Sequence, residues 1–180
     1  MCIRDRYLLL ARDLGFDVFS VRGSYAGAIG IPQFMPGSYR RYAVDFDGDG
    51  NADLRASESD AVGSVANFLA KHGWQRGERV SLPARVAGDA GATGATYRAL
   101  LEIGIEPKAS LADLKKYGVE TRTDLPLDTP VALIELESPG AAAEYRLGLR
   151  NFYVLTRYNR SALYASAVYD LAQEIKNSKR

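Results

Sequence analysis

Gly23-Ser24-Tyr25-Ala26-Gly27-Ala28-Ile29-Gly30-Ile31-Pro32-Gln33-Phe34-Met35-Pro36-Gly37-Ser38-Tyr39 runs within a few residues into Asp45-Phe46-Asp47-Gly48-Asp49-Gly50-Asn51-Ala52-Asp53. A loop of small residues followed by an amide and an aromatic thus leads straight into an acidic loop. Small side chains let backbone approach another surface closely, since no Cβ bulk stands in the way. Two readings of residues 24–31 are open: backbone packed on a helix, or a cleft floor with exposed amides. Gln33 and Phe34 add an amide that can bond hydroxyl or acetamide groups and a ring that can cover a sugar face. Pro36, with Ser38 and Tyr39 after it, marks a helix start.

In the acidic loop Asp45, Asp47 and Asp49 alternate, Gly50 takes the sixth position and Asn51 the seventh. Ca²⁺ wants six to eight oxygens, and alternating side chains on a tight turn bring three carboxylates to one centre. The glycine permits the turn, and Asn51 would offer its backbone carbonyl. The twelfth position is Ala56 instead of a bidentate acid, so the set needs a later carboxylate, Asp60 or its competitor Glu58. A solvated Asp/Gly turn holding no ion is the plainer alternative. Loops of this kind in extracellular modules bind calcium at roughly 10⁻⁴–10⁻³ M.

Around these loops the chain alternates short helices and connections. A first amphipathic helix shows from Tyr7, with Leu10, Ala11 and Leu14 on its face and Gly15 as its stop. A second begins at the Ser57/Asp60 capping pair, carries Val62, Val65, Ala66 and Leu69 at helical spacing, and closes at Gly73. Residues 88–94 are small and read as a surface connection. Two short helices end at Gly104 and Gly118, the second capped by Ser110 and Asp113. Residues 131–137 and 145–158 are β-branched and aromatic about Ser138-Pro139-Gly140, the pattern of a hairpin. A last helix carries Tyr164, Ala167, Val168, Leu171 and Ile175. The expected class is α+β, mainly helical, with a small β element.

At 180 residues, with 23 Lys plus Arg against 22 Asp plus Glu and a net charge of +1, the chain gives no electrostatic case for nucleic acid. No run approaches a membrane span. The lone Cys2 and lone His72 exclude a disulfide framework and a Cys/His zinc cluster within the chain.

Residues 23–39 resemble the glycan-cleft segment of the membrane-bound lytic murein transglycosylase B family, and residues 45–53 its calcium loop. Asp60-Ala61-Val62-Gly63-Ser64-Val65-Ala66-Asn67-Phe68-Leu69-Ala70-Lys71-His72-Gly73-Trp74 and residues 153–164 are similar to the same family. The resemblance runs from Tyr7 to the C-terminus and is weakest over residues 88–129. It implies a portion of a lysozyme-like domain with an EF-hand-like loop: a core portion at 7–87 with the calcium loop at 45–60, a helical and β insertion at 88–150, and a strand and helix at 151–180 returning to the core. It implies a structural Ca²⁺ on Asp45, Asp47, Asp49, Asn51 and Asp60, with no organic cofactor. Ser24, Gln33, Phe34, Tyr158, Asn159 and Tyr164 fall where the family contacts glycan. Phe68 is implied to line the same glycan site, standing where relatives often have Tyr. Tyr158 and Tyr164 read equally as core aromatics with a wet hydroxyl.

The implied activity is cleavage of the MurNAc–GlcNAc β-1,4 bond of peptidoglycan glycan strands with formation of 1,6-anhydroMurNAc. The protein would be a monomer in the periplasm or at the outer membrane. The family's catalytic Glu, general acid and then base, belongs to a helix well before the 23–30 segment. Met1–Arg6 resembles translated adapter sequence, so the chain reads as a fragment lacking that helix and inactive alone. The alternative is a non-catalytic, calcium-dependent glycan-binding module. A dockerin-type module fits less well, because it would repeat the acidic loop.

Overall fold

The computed structural model describes residues 2–86 and 96–179, in two compact units, Met1–Lys71 and His72–Arg180. The connection expected at 88–94 lies outside the described residues.

The first unit holds α1 (Ile3–Leu14), α2 (Pro36–Tyr42) and α3 (Glu58–Lys71). Helix α1 starts at Ile3 and not at Tyr7, because the Asp5 carboxylate accepts the Cys2 N–H and brings residues 3–6 into the helix. It buries Leu10 and Ala11 and ends at Gly15, whose left-handed φ of 68° suits a glycine stop. Helix α3 is capped as expected, the Ser57 hydroxyl accepting the Asp60 N–H at 3.1 Å. Its buried face is another than the periodicity suggested: Asp60, Ala61, Gly63, Ser64 and Phe68 point inward, and Val62 is 68% exposed. Polar Asp60 and Ser64 occupy that face because loop backbone packs on it and needs acceptors (Phe46 and Val44 N–H), which Val62 cannot supply.

The second unit is built on a five-stranded antiparallel sheet with order β2 (Ala109–Ser110), β4 (Pro130–Leu136), β5 (Glu144–Gly148), β1 (Ser81–Val86), β3 (Val119–Glu120). The β4–β5 hairpin forms where expected, Ala132 opposite Gly148 through Leu136 opposite Glu144. Leu82, Leu111, Leu133 and Leu147 fill its core with Leu100 of α4 (Arg98–Ile103) and Leu114 of a 3-10 turn (Leu114–Tyr117). Those two short elements end at Gly104 and Gly118 as read, and Ser110 bonds Asp113 at 2.6 Å.

The strand expected through residue 158 stops at Gly148, and Arg150–Tyr158 is helix α5. Its aromatic and β-branched content suggests strand, yet Asn151, Phe152, Val154, Leu155 and Thr156 bury in helical order. Gly148 makes the switch possible, since a Cβ there would lie 2.9 Å from the Phe152 ring. The portion at 151–180 is therefore two helices, α5 and α6 (Ala162–Ser178). Helix α6 buries Ala165 and Ser166, while Tyr164, Leu171 and Ile175 of the expected stripe are exposed. Arg146 of β5 ties it down through both oxygens of Asp170, at 2.6 and 2.9 Å.

Candidate functional site

In the first unit residues 23–34 fold into two tight bridges, Gly23 against Ile29 and Ile29 against Phe34. Ser24 closes the first: its N–H donates to the Ala28 carbonyl at 2.8 Å, and its Oγ accepts the Ala28 N–H at 3.0 Å. Used as an acceptor, that hydroxyl keeps its own proton for an outside group. At Gly30, with φ 74°, a Cβ would lie 2.5 Å from the Leu54 carbonyl oxygen, so only glycine lets the two loops touch. Gln33 is exposed and, among the described residues, is the non-glycine at positive φ, 51°. Its amide nitrogen bonds the Gly30 carbonyl at 2.9 Å and supports that costly turn.

Phe34 and Phe68 do not stand on a sugar-binding surface. They are 3% and 6% exposed, with ring centroids 5.8 Å apart, and Tyr42 meets Phe68 edge-on at 4.9 Å. In so small a unit the largest apolar side chains are needed inside. Tyr25, which the motif reading passed over, is fully exposed beside Ser24. It lines a cavity of about 440 Å³ with Tyr7, Val18, Val21, Ser24 and Ile29. Its place beside Ser24 in the quoted stretch was the signal available.

The acidic loop converges as its spacing requires. One carboxylate oxygen from each of Asp45, Asp47 and Asp49 lies within 4.8 Å of the others, all three residues exposed. The loop's N–H groups wrap these acids: Gly48 and Gly50 donate to the two oxygens of Asp45 at 2.7 and 2.9 Å, and Asn51 to Asp49 at 2.8 Å. Ser57 Oγ donates to Asp47 at 2.8 Å. Asp60 is fully buried beneath the loop. It accepts the N–H groups of Phe46 (2.7 Å), Asp47 (3.4 Å) and Asp53 (2.8 Å). The Phe46 bond, opposed by desolvation and helped by the other two, holds its carboxyl below the ordinary Asp value. Three of about four lone-pair positions are then used, leaving one on the oxygen facing Asp53. Tyr39 fastens the far side, its buried hydroxyl donating to Ala52 O (2.9 Å) and accepting Leu54 N–H (3.0 Å). Phe46 packs its ring on Gly63 of α3, where a Cβ would come within 2.6 Å. Three convergent carboxylates on a braced loop are a donor set suited to a hard divalent cation.

In the second unit Tyr158, Asn159 and Tyr164 gather at the α5–α6 turn. The two rings stack at 6.4 Å, 3° from parallel. Burial, and then the neighbouring Tyr164, pushes the Tyr158 hydroxyl up to about 12. It is a neutral donor and acceptor at any physiological pH. Asn159 is exposed, and its carbonyl accepts the Ser161 N–H at 2.7 Å while Ser161 Oγ caps α6. Ser24 and Gln33 thus share one loop of the first unit, and the three C-terminal residues one turn of the second.

Among the described residues every carboxyl displaced from its ordinary value is displaced downward. The leading causes are hydrogen bonds from Cys2 N–H to Asp5, Arg12 to Asp13, Phe46 N–H to Asp60, Lys116 to Asp113 and Arg79 to Asp124. These are standing carboxylates, the reverse of a general acid poised near neutrality.

The profile of the transglycosylase SLT domain family matches residues 5–173. The chain belongs to this family. Membrane-bound lytic murein transglycosylase B of Escherichia coli (strain K12) is 40% identical over 171 residues, 95% of this chain and 44% of that protein. The chain therefore spans less than half the length of that curated relative. Catenated lytic transglycosylase SltB1 from Pseudomonas aeruginosa superposes with a TM-score of 0.84 at 44% identity, over 99% of this chain and 56% of its own. The Escherichia coli lytic transglycosylase Slt35 in complex with calcium gives 0.80 at 37% identity, over 98% and 53%. Pseudomonas aeruginosa SltB3 in complex with NAG-NAM-pentapeptide gives 0.76 at 33% identity, over 97% and 46%. The family is one of lytic murein transglycosylases, and the α+β architecture is shared with its members.

Proposed function

We propose that the chain is the glycan-binding and calcium-bearing portion of a lytic murein transglycosylase. Its parent would cleave the MurNAc–GlcNAc β-1,4 bond of peptidoglycan with formation of 1,6-anhydroMurNAc. The family match over residues 5–173 carries this reading. The exposed Ser24 hydroxyl and Gln33 amide in the first unit, and Tyr158, Asn159 and Tyr164 in the second, offer the polar groups and aromatic faces that sugars need. Phe34 and Phe68 serve from the interior by holding the loop that carries Gln33.

A calcium ion would be held by Asp45, Asp47, Asp49, the Asn51 carbonyl and the remaining lone pair of Asp60. Bound there, it would supply charge neutralisation to a loop with few apolar side chains of its own. That a relative, the Escherichia coli lytic transglycosylase Slt35, forms a complex with calcium supports this reading. The catalytic Glu lies in the parent outside these residues, in keeping with the downward-shifted carboxyls. The parent would work in the periplasm or at the outer membrane; the name of its Escherichia coli relative, a membrane-bound enzyme, supports the membrane association alone.

The reading is tested by sedimenting the purified protein with murein sacculi and then mutating Gln33→Ala or Asn159→Ala. Retention on sacculi that weakens severalfold in each variant supports it. Retention indifferent to both substitutions would remove these residues from the glycan site.

A further inference from the structure

The second unit contains a cavity of about 330 Å³ that the glycan reading does not use. Pro107, Pro126 and Pro130 line it, and proline rings lock the backbone φ. The opposite wall, from Gln75 to Glu78, is held from behind by Asn151, which is fully buried. The Asn151 carbonyl oxygen accepts the Gln75 N–H at 2.8 Å, and its amide nitrogen donates to the carbonyls of Gln75 (2.8 Å) and Glu78 (3.1 Å).

Charge is distributed unevenly over this frame. Arg79 is already matched by Asp124 at 2.6 Å and Thr123 at 3.2 Å. Glu78 and Arg150 line the same cavity, yet among the described residues neither takes part in an ion pair, with each other or with anything else. Gly73 makes room for the Arg150 head, since a Cβ there would lie 2.7 Å from a guanidinium nitrogen. Two exposed groups of opposite charge, a carboxylate and a guanidinium that are not paired with each other, thus lie on the lining of one cavity.

We propose that this cavity binds a zwitterionic ligand of at most dipeptide size, an amino acid or short peptide with both termini free. Arg150 takes the carboxylate, for which its planar fork is suited, and Glu78 takes the ammonium. The volume sits at the small end of ligand pockets, which sets the size limit. The proline and Leu149 surfaces receive a compact apolar side chain. The inference stands apart from the transglycosylase reading and survives or fails without it.

The test is an NMR titration of the isotope-labelled full chain with alanyl-alanine, its C-terminal amide and its N-acetyl form. The expected result is saturable shifts at Gln75, Glu78 and Thr129, with each blocked ligand about tenfold weaker than the free dipeptide. Arg150→Gln should abolish the distinction between dipeptide and amide, and Glu78→Gln the distinction between dipeptide and N-acetyl form. Circular dichroism checks that each variant is folded, and the three ligands on the unmodified chain decide the matter even where one is not. Absence of saturable shifts at these residues, or equal binding of all three ligands, overturns the proposal.

Discussion

Asp60 shows how much a single side chain can hold together. Its carboxylate binds the loop at Phe46, Asp47 and Asp53, while its N–H binds Ser57. Because its folded pKa is depressed, its contribution is fully present above the unfolded value, about 3.9, and is lost as pH falls through the folded one. Asp60→Asn should therefore lower the melting temperature at pH 7 and flatten its decline as the pH falls below about 4. Parallel melting curves of the two proteins over that range would show that the carboxylate charge is not what the loop uses. Gly63 is the second such residue. Gly63→Ala drives a methyl into the Phe46 ring, and overpacking of that kind costs about 1–3 kcal/mol in urea unfolding. Neither role was fully legible. The Asp60 cap could be read from Ser57, but the contact of the largely exposed Phe46 with Gly63 leaves no periodic trace.

At the scale of elements, what the sequence made plain were the features with local chemistry. Glycine stops at 15, 104 and 118, the Ser57 cap and the hairpin about Pro139 all form where expected, whereas Ser110 lies in β2 and donates to Asp113 without capping the short 3-10 turn. What it hid depended on partners far along the chain. Helix α5 looks like strand because its aromatic and β-branched residues serve a buried helical face, and Phe152 needs Gly148 to seat there. Asn151 reaches back 76 residues to Gln75. Asn151→Ala would leave the Gln75 and Glu78 carbonyls and the Gln75 N–H without that partner and should cost about 1–3 kcal/mol, measured by chemical denaturation. The acidic loop is the converse case, since its ligand spacing is wholly local. Asp49→Ala should abolish any calcium-dependent rise in melting temperature. For the intact loop that rise corresponds to roughly 2.7 kcal/mol at a hundredfold excess of free ion over Kd. A melting temperature of the intact chain unmoved by EDTA would leave the three carboxylates as an ion-free turn.

For the molecule as a whole, the family was legible because its motifs are loops whose residue types are dictated by backbone geometry and charge. The burial of Phe34 and Phe68 was not legible, since an aromatic beside a polar residue reads the same whether it covers a sugar or a core. The same limit bears on catalysis. Protonating a glycosidic oxygen needs a carboxylic acid kept neutral in an apolar pocket, and positioned acid–base groups contribute about 10²–10⁴-fold. The displaced carboxyls of the described residues are all held ionised by hydrogen-bond donors. The expected outcome is that this chain, incubated with murein sacculi, releases no 1,6-anhydromuropeptides, while the full-length parent does. Exposed Val62, Phe19 and Tyr25 give the chain apolar surface, so the comparison is made on material shown to be monodisperse. Anhydromuropeptides released by such a sample would place the acid within these 180 residues. Glu58 would then be the first to replace, because it stands at the start of helix α3, next to the acidic loop.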